Sequence, residues 1–148
     1  MKKNKGFTLI EVLVVIGIIA ILAAIVVVAI NPARQFAQAN NSQRWSNVNA
    51  ILNAVHQYAV DNRGALPGDL ATTTAAIPTA VCNSSATATT TCLWLDGALV
   101  PTYIVTIPND PTGVSTNNSG YHIATTTGNR IRVWTNTAEL GQTIEVER

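Results

Sequence analysis

One long apolar run near the amino terminus constrains this chain more than any other feature. From Val12 to Ile30 there are 19 consecutive residues without a charge, and each of them except Gly17 is hydrophobic. As an α-helix, the run would be about 28 Å long, close to the ~30 Å thickness of the hydrocarbon core of a bilayer. It is longer than the apolar part of an ordinary secretory signal, which has about 7–15 residues. The sequence therefore predicts a helix that can span a membrane.

Basic residues precede this run and predict its orientation in the membrane. Lys2, Lys3 and Lys5 lie in the first six residues, which contain no acid. Positive charge next to a spanning helix favours the cytoplasmic side of the membrane. We therefore expect a single-pass protein of the inner membrane with a cytoplasmic amino terminus, and residues 32–148 exported as one globular domain.

The overall composition argues against several classes of protein. Only 11% of the 148 residues are charged and the net charge is +1. This charged fraction is less than half of the usual ~25%, which argues against a disordered polyelectrolyte and a coiled-coil rod. The balance of charges argues against a strongly basic protein, so nucleic acid is not an expected partner.

A specific motif lies where the basic segment meets the apolar run. Lys5-Gly6 is followed by Phe7-Thr-Leu-Ile-Glu11, which opens the hydrophobic helix. This arrangement resembles the class III signal of type IV prepilins and of the related pseudopilins. The resemblance implies that residues 1–6 are a leader peptide, that a membrane-embedded prepilin peptidase cleaves after Gly6, and that Phe7 becomes an N-methylated amino terminus.

Glu11 is a carboxylate at the edge of a very apolar helix. Such a charge is costly in a membrane and usually has a partner, although at the boundary it could instead reach the lipid headgroups. The resemblance implies that Glu11 meets the Phe7 amine of a neighbouring subunit, so that the chain forms a homo-oligomeric helical filament. It also implies an assembly ATPase on the cytoplasmic side and an inner-membrane platform as partners. Small residues in the run would let such helices pack closely: Gly17, Ala20, Ala23 and Ala24.

A second helical pattern follows Asn31-Pro32, where the proline is expected to kink or break the helix. Apolar residues recur there at steps of three and four, namely Trp45, Val48, Ile51, Leu52, Val55, Tyr58 and Ala59. This spacing predicts an amphipathic helix within residues 32–64 whose apolar stripe packs on a sheet. Polar residues such as Asn47 are expected on the opposite, solvent-facing surface.

Residues 65–148 are predicted to form a Thr-rich loop followed by a small antiparallel sheet. Three segments alternate between apolar and polar residues, at positions 119–125, 130–136 and 142–147. The expected fold is therefore α+β: a long amino-terminal helix, with a transmembrane half (7–31) and an amphipathic half, packed on about three strands. If the last two strands pair antiparallel, their arginines lie near their glutamates.

Cys82 and Cys92 are the two cysteines of the chain. In an exported domain they are expected to form a disulfide, with two free thiols as the alternative. Closing so short a loop would stabilise the fold by about 2–3 kcal/mol.

No metal site or other cofactor is predicted from the residues themselves. His56 has no companion at ligand spacing, and the acidic residues after residue 95 do not form a dense calcium-binding loop. These acids are Asp96, Asp110 and Glu139. They are expected to be solvated turn residues, whereas the resemblance to pseudopilins, in which nearby acids hold calcium, keeps calcium as an alternative.

An enzyme is not expected, because the chain lacks a nucleophile elbow, a phosphate-binding glycine loop and a zinc-protease motif. The resemblance favours a structural subunit (pilin) of a type IV pilus, extracellular after assembly. A pseudopilin of a type II secretion system is the alternative, which Pro108-Asn-Asp-Pro111 favours. A third hypothesis is a minor pilin that binds DNA or surfaces, using the basic-aromatic residues Arg130, Arg132 and Trp134.

Overall fold

The computed structural model describes residues 6–68, 70, 79–82, 92–113 and 117–148. Within these residues there are three helices, α1 (Leu9–Ile30), α2 (Pro32–Asp61) and α3 (Asp96–Leu99). The strands are β1 (Thr79–Cys82), β2 (Cys92–Leu93), β3 (Asn118–Thr125), β4 (Ile131–Thr135) and β5 (Ile144–Glu147). Two compact units are distinguished, Met1–Phe36 and Ala37–Arg148.

The predicted break after the apolar run is present at Asn31. This residue has a left-handed backbone, with φ of 48°, and it lies between the last residue of α1 and the first residue of α2. Pro32 fits the first position of α2, because its missing N–H would have no partner within the helix there. The side-chain Oδ1 of Asn31 accepts a hydrogen bond from the backbone N–H of Arg34 at 3.3 Å, which caps the new helix.

The sheet has five strands in the order β2-β1-β3-β4-β5. The β1–β2 pair is parallel and the other pairs are antiparallel. The α+β class is confirmed, but the expected number of about three strands is wrong. The two additional strands have four and two residues and lie in the region predicted as loop. Segments this short carry too little alternation to be distinguished from a loop by their pattern.

The turn between β3 and β4 shows why the chain reverses where it does. Gly128 and Asn129 have φ values of 96° and 62°. Glycine adopts this left-handed region without steric cost, and asparagine tolerates it better than most residues do. The turn sets the antiparallel register in which Ile123 faces Val133.

The core of the second unit lies between α2 and the inner face of the sheet. Fully buried side chains come from both elements: Val48, Ile51, Leu52 and Val55 on α2, and Tyr121, Ile123, Val133 and Ile144 on the strands. The predicted apolar stripe of α2 is therefore confirmed over most of its length.

The amino-terminal end of this stripe differs from the prediction. Trp45 is 39% exposed rather than part of the core, and Asn47, expected on the surface, is buried. The buried row continues instead through Ala37, Asn41 and Arg44. These residues keep the helical spacing of the stripe, but two of them are polar, so a count of apolar residues cannot detect them.

Candidate functional site

The amino-terminal end of α1 contains the predicted processing and assembly residues. Gly6 and Phe7 precede the helix, and the Phe7 side chain is 87% exposed. Thr8 is the N-cap residue, and its Oγ1 accepts a hydrogen bond from the backbone N–H of Glu11 at 3.3 Å. In return, the backbone N–H and the hydroxyl of Thr8 donate to Glu11 Oε2 at 2.7 and 2.8 Å. The chain's own first turn therefore holds the Glu11 carboxylate.

Thr8 is a site residue to which the sequence analysis assigned no role. The reciprocal bonds between Thr8 and Glu11 form a capping box. The signal for it is present in the sequence, because a Thr followed three positions later by a Glu, just before an apolar run, is the signature of this motif.

Apart from Glu11 in its first turn, the surface of α1 is apolar on all sides. The helix has 22 residues and contains an 18-residue window with a mean hydropathy of 3.5, and none of its residues, all of which the structure describes, is buried. A helix of this length spans about 33 Å. Since a uniformly apolar helix is stable only in lipid or against other apolar surfaces, α1 needs one of these environments. Its length and composition allow it to cross a membrane.

The predicted disulfide is present. Cys82 at the end of β1 is bonded to Cys92 at the start of β2, with a Cα–Cα distance of 5.4 Å. The two strands that it joins also pair with each other, Val81 lying opposite Leu93. The bond therefore fastens a two-residue strand to the edge of the sheet.

Replacing both cysteines by alanine should lower the free energy of unfolding by about 2–3 kcal/mol, because the unfolded chain then loses the constraint of a short closed loop. Urea unfolding of the wild type and of the Cys82→Ala/Cys92→Ala variant measures this difference. A reductant should reproduce the loss in the wild type and have no effect on the variant. Equal stability of oxidised wild type and variant would show that the bond contributes nothing.

A buried arginine organises the other polar cluster of the structure. The Arg44 side chain is fully buried, and its Nε and Nη2 donate to the two carboxylate oxygens of Asp110 at 2.7 and 3.0 Å. Its Nη1 donates to Glu139 Oε2 at 2.7 Å and to Asn41 Oδ1 at 2.9 Å. Nη2 also donates to the hydroxyl of Thr112 at 3.1 Å. The guanidinium thus links α2 to the segment before β3 and to the segment between β4 and β5.

The charges of this cluster stabilise one another. Burial alone would raise the pKa of Asp110, but hydrogen bonds from Arg44, Thr112 and Thr137 outweigh it and hold this pKa well below its usual range. The hydrogen bond to Asp110 raises the pKa of Arg44 further, against the effect of burial. The hydrogen bond from Arg44 also lowers the pKa of Glu139. Both carboxylates are therefore ionised around a charged guanidinium at neutral pH.

The expectation that these acids are solvated turn residues is wrong for Asp110, which is only 3% exposed. It is buried because Arg44 neutralises its charge and hydroxyl groups satisfy its oxygens. Asp96 lies apart, in the first turn of α3. Among the residues that the structure describes, no three His, Cys, Asp or Glu side chains are placed to hold a metal ion together.

The basic-aromatic residues in and just before β4 lie beside acids. In the antiparallel β4–β5 pair, Arg132 forms an ion pair with Glu145. Arg130, which directly precedes β4, lies 3.7 Å from Glu147. The Arg132 guanidinium also lies over the Trp134 ring, 5.0 Å from its centre. The predicted proximity of arginines and glutamates is confirmed. Since each arginine has a carboxylate neighbour, this face does not present the excess positive charge that nucleic acid requires.

Comparisons with known proteins agree with the motif at the amino terminus. The family described as the prokaryotic N-terminal methylation motif matches residues 1–27. The chain is 42% identical over 62 residues to the "Type IV wide pilus major component PilA4" of Thermus thermophilus. The matched segment covers 42% of this chain and 46% of that relative, so the similarity spans about half the length of the curated protein. No solved structure matches the chain. The chain is therefore similar to proteins that carry this methylation motif and, over part of its length, to a type IV pilus component.

Proposed function

We propose that this chain belongs to the type IV pilin family and is a structural subunit of a type IV pilus. The observation that carries the proposal is a helix of membrane-spanning length within the methylation motif, apolar except for a capped Glu11 in its first turn. The similarity to a major pilus component of Thermus thermophilus supports it. In this proposal α1 stores the protein in the inner membrane with its amino terminus in the cytoplasm, and later becomes the core of an extracellular filament.

Cleavage after Gly6 creates the charge that assembly needs. Before cleavage, the Glu11 carboxylate is satisfied by Thr8 of its own chain. Cleavage by a prepilin peptidase leaves a new ammonium group on Phe7, and methylation of the nitrogen keeps its positive charge. In the apolar surroundings of a filament core, this ammonium and the Glu11 carboxylate of a neighbouring subunit stabilise each other strongly. The pair forms only after processing and only in one register, so it sets the axial position of each subunit.

The remainder of α1 supplies the packing surface. Moving an apolar helix from lipid into a bundle of similar helices exchanges one apolar environment for another. The hydrophobic effect therefore contributes little, and close packing between the helices determines how stable the bundle is. Gly17, Ala20 and Ala24 follow one another at steps of three and four residues and therefore share a face of the helix. We assign this face to the close contacts between helices. An assembly ATPase and an inner-membrane platform would drive the transfer out of the membrane.

A pseudopilin of a type II secretion system would use the same amino-terminal chemistry. The proline-punctuated segment Pro108–Pro111 is the feature that favours it. The similarity to a pilus component favours the pilus, and the two functions differ in whether long filaments reach the cell surface. In both cases the protein acts by assembling and not by catalysis.

Replacing Gly6 by valine should block the first step of this function. A peptidase must bring the scissile backbone close to its own groups, and a branched side chain before the bond obstructs this approach. In the chain itself, a Cβ at Gly6 would meet no atom within 4 Å, so the substitution should not disturb the fold. Mass spectrometry of the membrane fraction should find wild-type chains that begin at methylated Phe7 and Gly6→Val chains that retain the leader.

Gly17→Ala is the matched control for this experiment. A Cβ at Gly17 also meets no atom within 4 Å, but this position is far from the cleavage site. Its processing should equal that of the wild type. Complete processing of Gly6→Val would contradict the assigned cleavage position.

A further inference from the structure

The two outer edges of the sheet are protected in different ways. Among the described strands, β5 lies at one end of the sheet and β2 at the other. An open edge presents unpaired backbone groups to which a strand of another molecule can add, and exposed charges are a common protection. β5 has this protection, because Glu145 and Glu147 are exposed on it. β2 is uncharged and is protected by its length, since two residues offer little for another strand to pair with.

β1, the strand next to β2, has neither kind of protection. Its sequence, Thr79-Ala-Val-Cys82, contains no charge and no proline, and it is twice as long as β2. Ala80, Val81 and Cys82 are consecutive and all buried, so both faces of the strand are covered. These are properties of an interior strand and not of an edge strand. β1 therefore depends on β2 to cover its outer edge.

β1 has contacts that would keep it in the sheet if β2 moved away. On its inner side it pairs antiparallel with β3, where Ala80 lies opposite His122. The Ser119 hydroxyl on β3 donates a hydrogen bond to the backbone oxygen of Val81 at 2.8 Å. The Val81 side chain is fully buried in the core. Loss of β2 would thus expose the outer edge of β1 without removing β1 itself.

The disulfide is the strongest link between β2 and β1. The pairing of these strands is parallel and covers only two positions, Ala80 with Cys92 and Val81 with Leu93. Parallel pairs are slightly weaker per residue than antiparallel pairs, and a two-residue strand is shorter than the usual minimum of about three. Leu93 adds one buried side chain. Because the bond between Cys82 and Cys92 joins β2 to the end of β1 covalently, it limits how often this pairing opens.

We infer that the outer edge of β1 is a covered strand-addition site for a second copy of this chain, and that the Cys82–Cys92 bond keeps the site closed. When the bond is open, β2 can detach, and β1 of one molecule pairs antiparallel with β1 of another. Two β1 edges are uncharged and meet without repulsion, whereas two β5 edges would bring Glu145 and Glu147 of both copies together. This inference does not depend on the proposed function.

The test compares the wild type with Cys82→Ser/Cys92→Ser, each as the full chain in non-ionic detergent. At low protein concentration, hydrogen–deuterium exchange in the serine variant should accelerate roughly tenfold more in β1 than in β4, because the opening is local. As the concentration rises, sedimentation velocity should show dimers of the serine variant but not of the wild type. Exchange in β1 should then slow again, since the added strand protects the exposed edge.

Two controls separate this effect from a general loss of stability. Val55→Ala leaves a cavity in the core and should accelerate exchange in β1 and β4 alike, without forming dimers. Adding Thr79→Lys to the serine variant places a charge on β1 at a partly buried position and should prevent the dimers.

Wild-type protein that is folded first and then reduced replaces the serine variant if that variant does not fold. A dithiol supplies two electrons and two protons, so the S–S bond becomes two thiols while the dithiol closes to its own disulfide. The inference would be overturned by equal acceleration of exchange in β1 and β4 once the bond is absent. It would also be overturned by a chain without the bond that stays monomeric at every concentration, or by dimers that Thr79→Lys does not prevent.

Discussion

Glu11→Gln is expected to leave the protein processed and N-methylated but absent from filaments. Glutamine keeps the length of the side chain and can maintain the capping box with Thr8, so α1 should still form. It lacks the charge that, in the proposed filament, pairs with the Phe7 ammonium of a neighbouring subunit. Leaving one charge of a buried pair without its partner costs about 3–5 kcal/mol, which corresponds to a loss of incorporation of roughly 10²- to 4 × 10³-fold.

The measurement is the ratio of filament-bound to membrane-bound subunit in cells that produce both wild-type and variant chains. Glu145→Gln is the control, because Glu145 is an exposed carboxylate on β5 and its loss should leave incorporation unchanged. Incorporation of Glu11→Gln at the wild-type level would remove the role assigned to this carboxylate.

Arg44→Met is expected to lower the free energy of unfolding of the unit Ala37–Arg148 by about 3–5 kcal/mol. Methionine fills part of the space but leaves the buried Asp110 carboxylate without a counter-charge, which is the costly way to break a buried ion pair. The hydrogen bonds that Arg44 donates to Glu139 and Thr112 are lost at the same time. Urea unfolding at pH 7 of a fragment that begins at residue 32 measures the change, since Ala37–Arg148 is a compact unit with its own core.

Arg130→Met provides the matched comparison. Arg130 also has a carboxylate neighbour, Glu147, but the two side chains are 61% and 39% exposed. An exposed pair of this kind contributes only about 0–1 kcal/mol. Similar losses of stability in the two variants would contradict the importance of burial at Arg44.

Long, regular elements could be predicted from the sequence because their patterns repeat many times. The 19-residue apolar run specifies α1, and the spacing from Val48 to Val55 specifies the buried face of α2. Alternation in β4 and β5 also placed the arginines of one strand near the glutamates of the next. The motif around Gly6 was also recognisable from the sequence, and the N-terminal methylation motif matches residues 1–27.

Features that depend on distant partners could not be predicted in this way. The two-residue strand β2 is too short to form by itself. It pairs with β1, and the disulfide joins the same two strands. Arg44 occupies a position of the α2 stripe where an apolar residue is expected, and it is stable there because Asp110, 66 residues further along the chain, is buried with it. Polar residues such as Asn41 and Arg44, at helix positions that continue the apolar stripe, are the signal in the sequence that could have indicated a buried polar cluster.

The central claim is that this chain, cleaved after Gly6, forms extracellular filaments through α1. Its most direct test is mass spectrometry of filaments sheared from the surface of the cells that produce the protein. The account predicts that this chain is the dominant component of long filaments, that it begins at N-methylated Phe7, and that its two cysteines are bonded to each other. Long surface filaments without this chain, or a chain that remains in the membrane with its leader attached, would contradict the account.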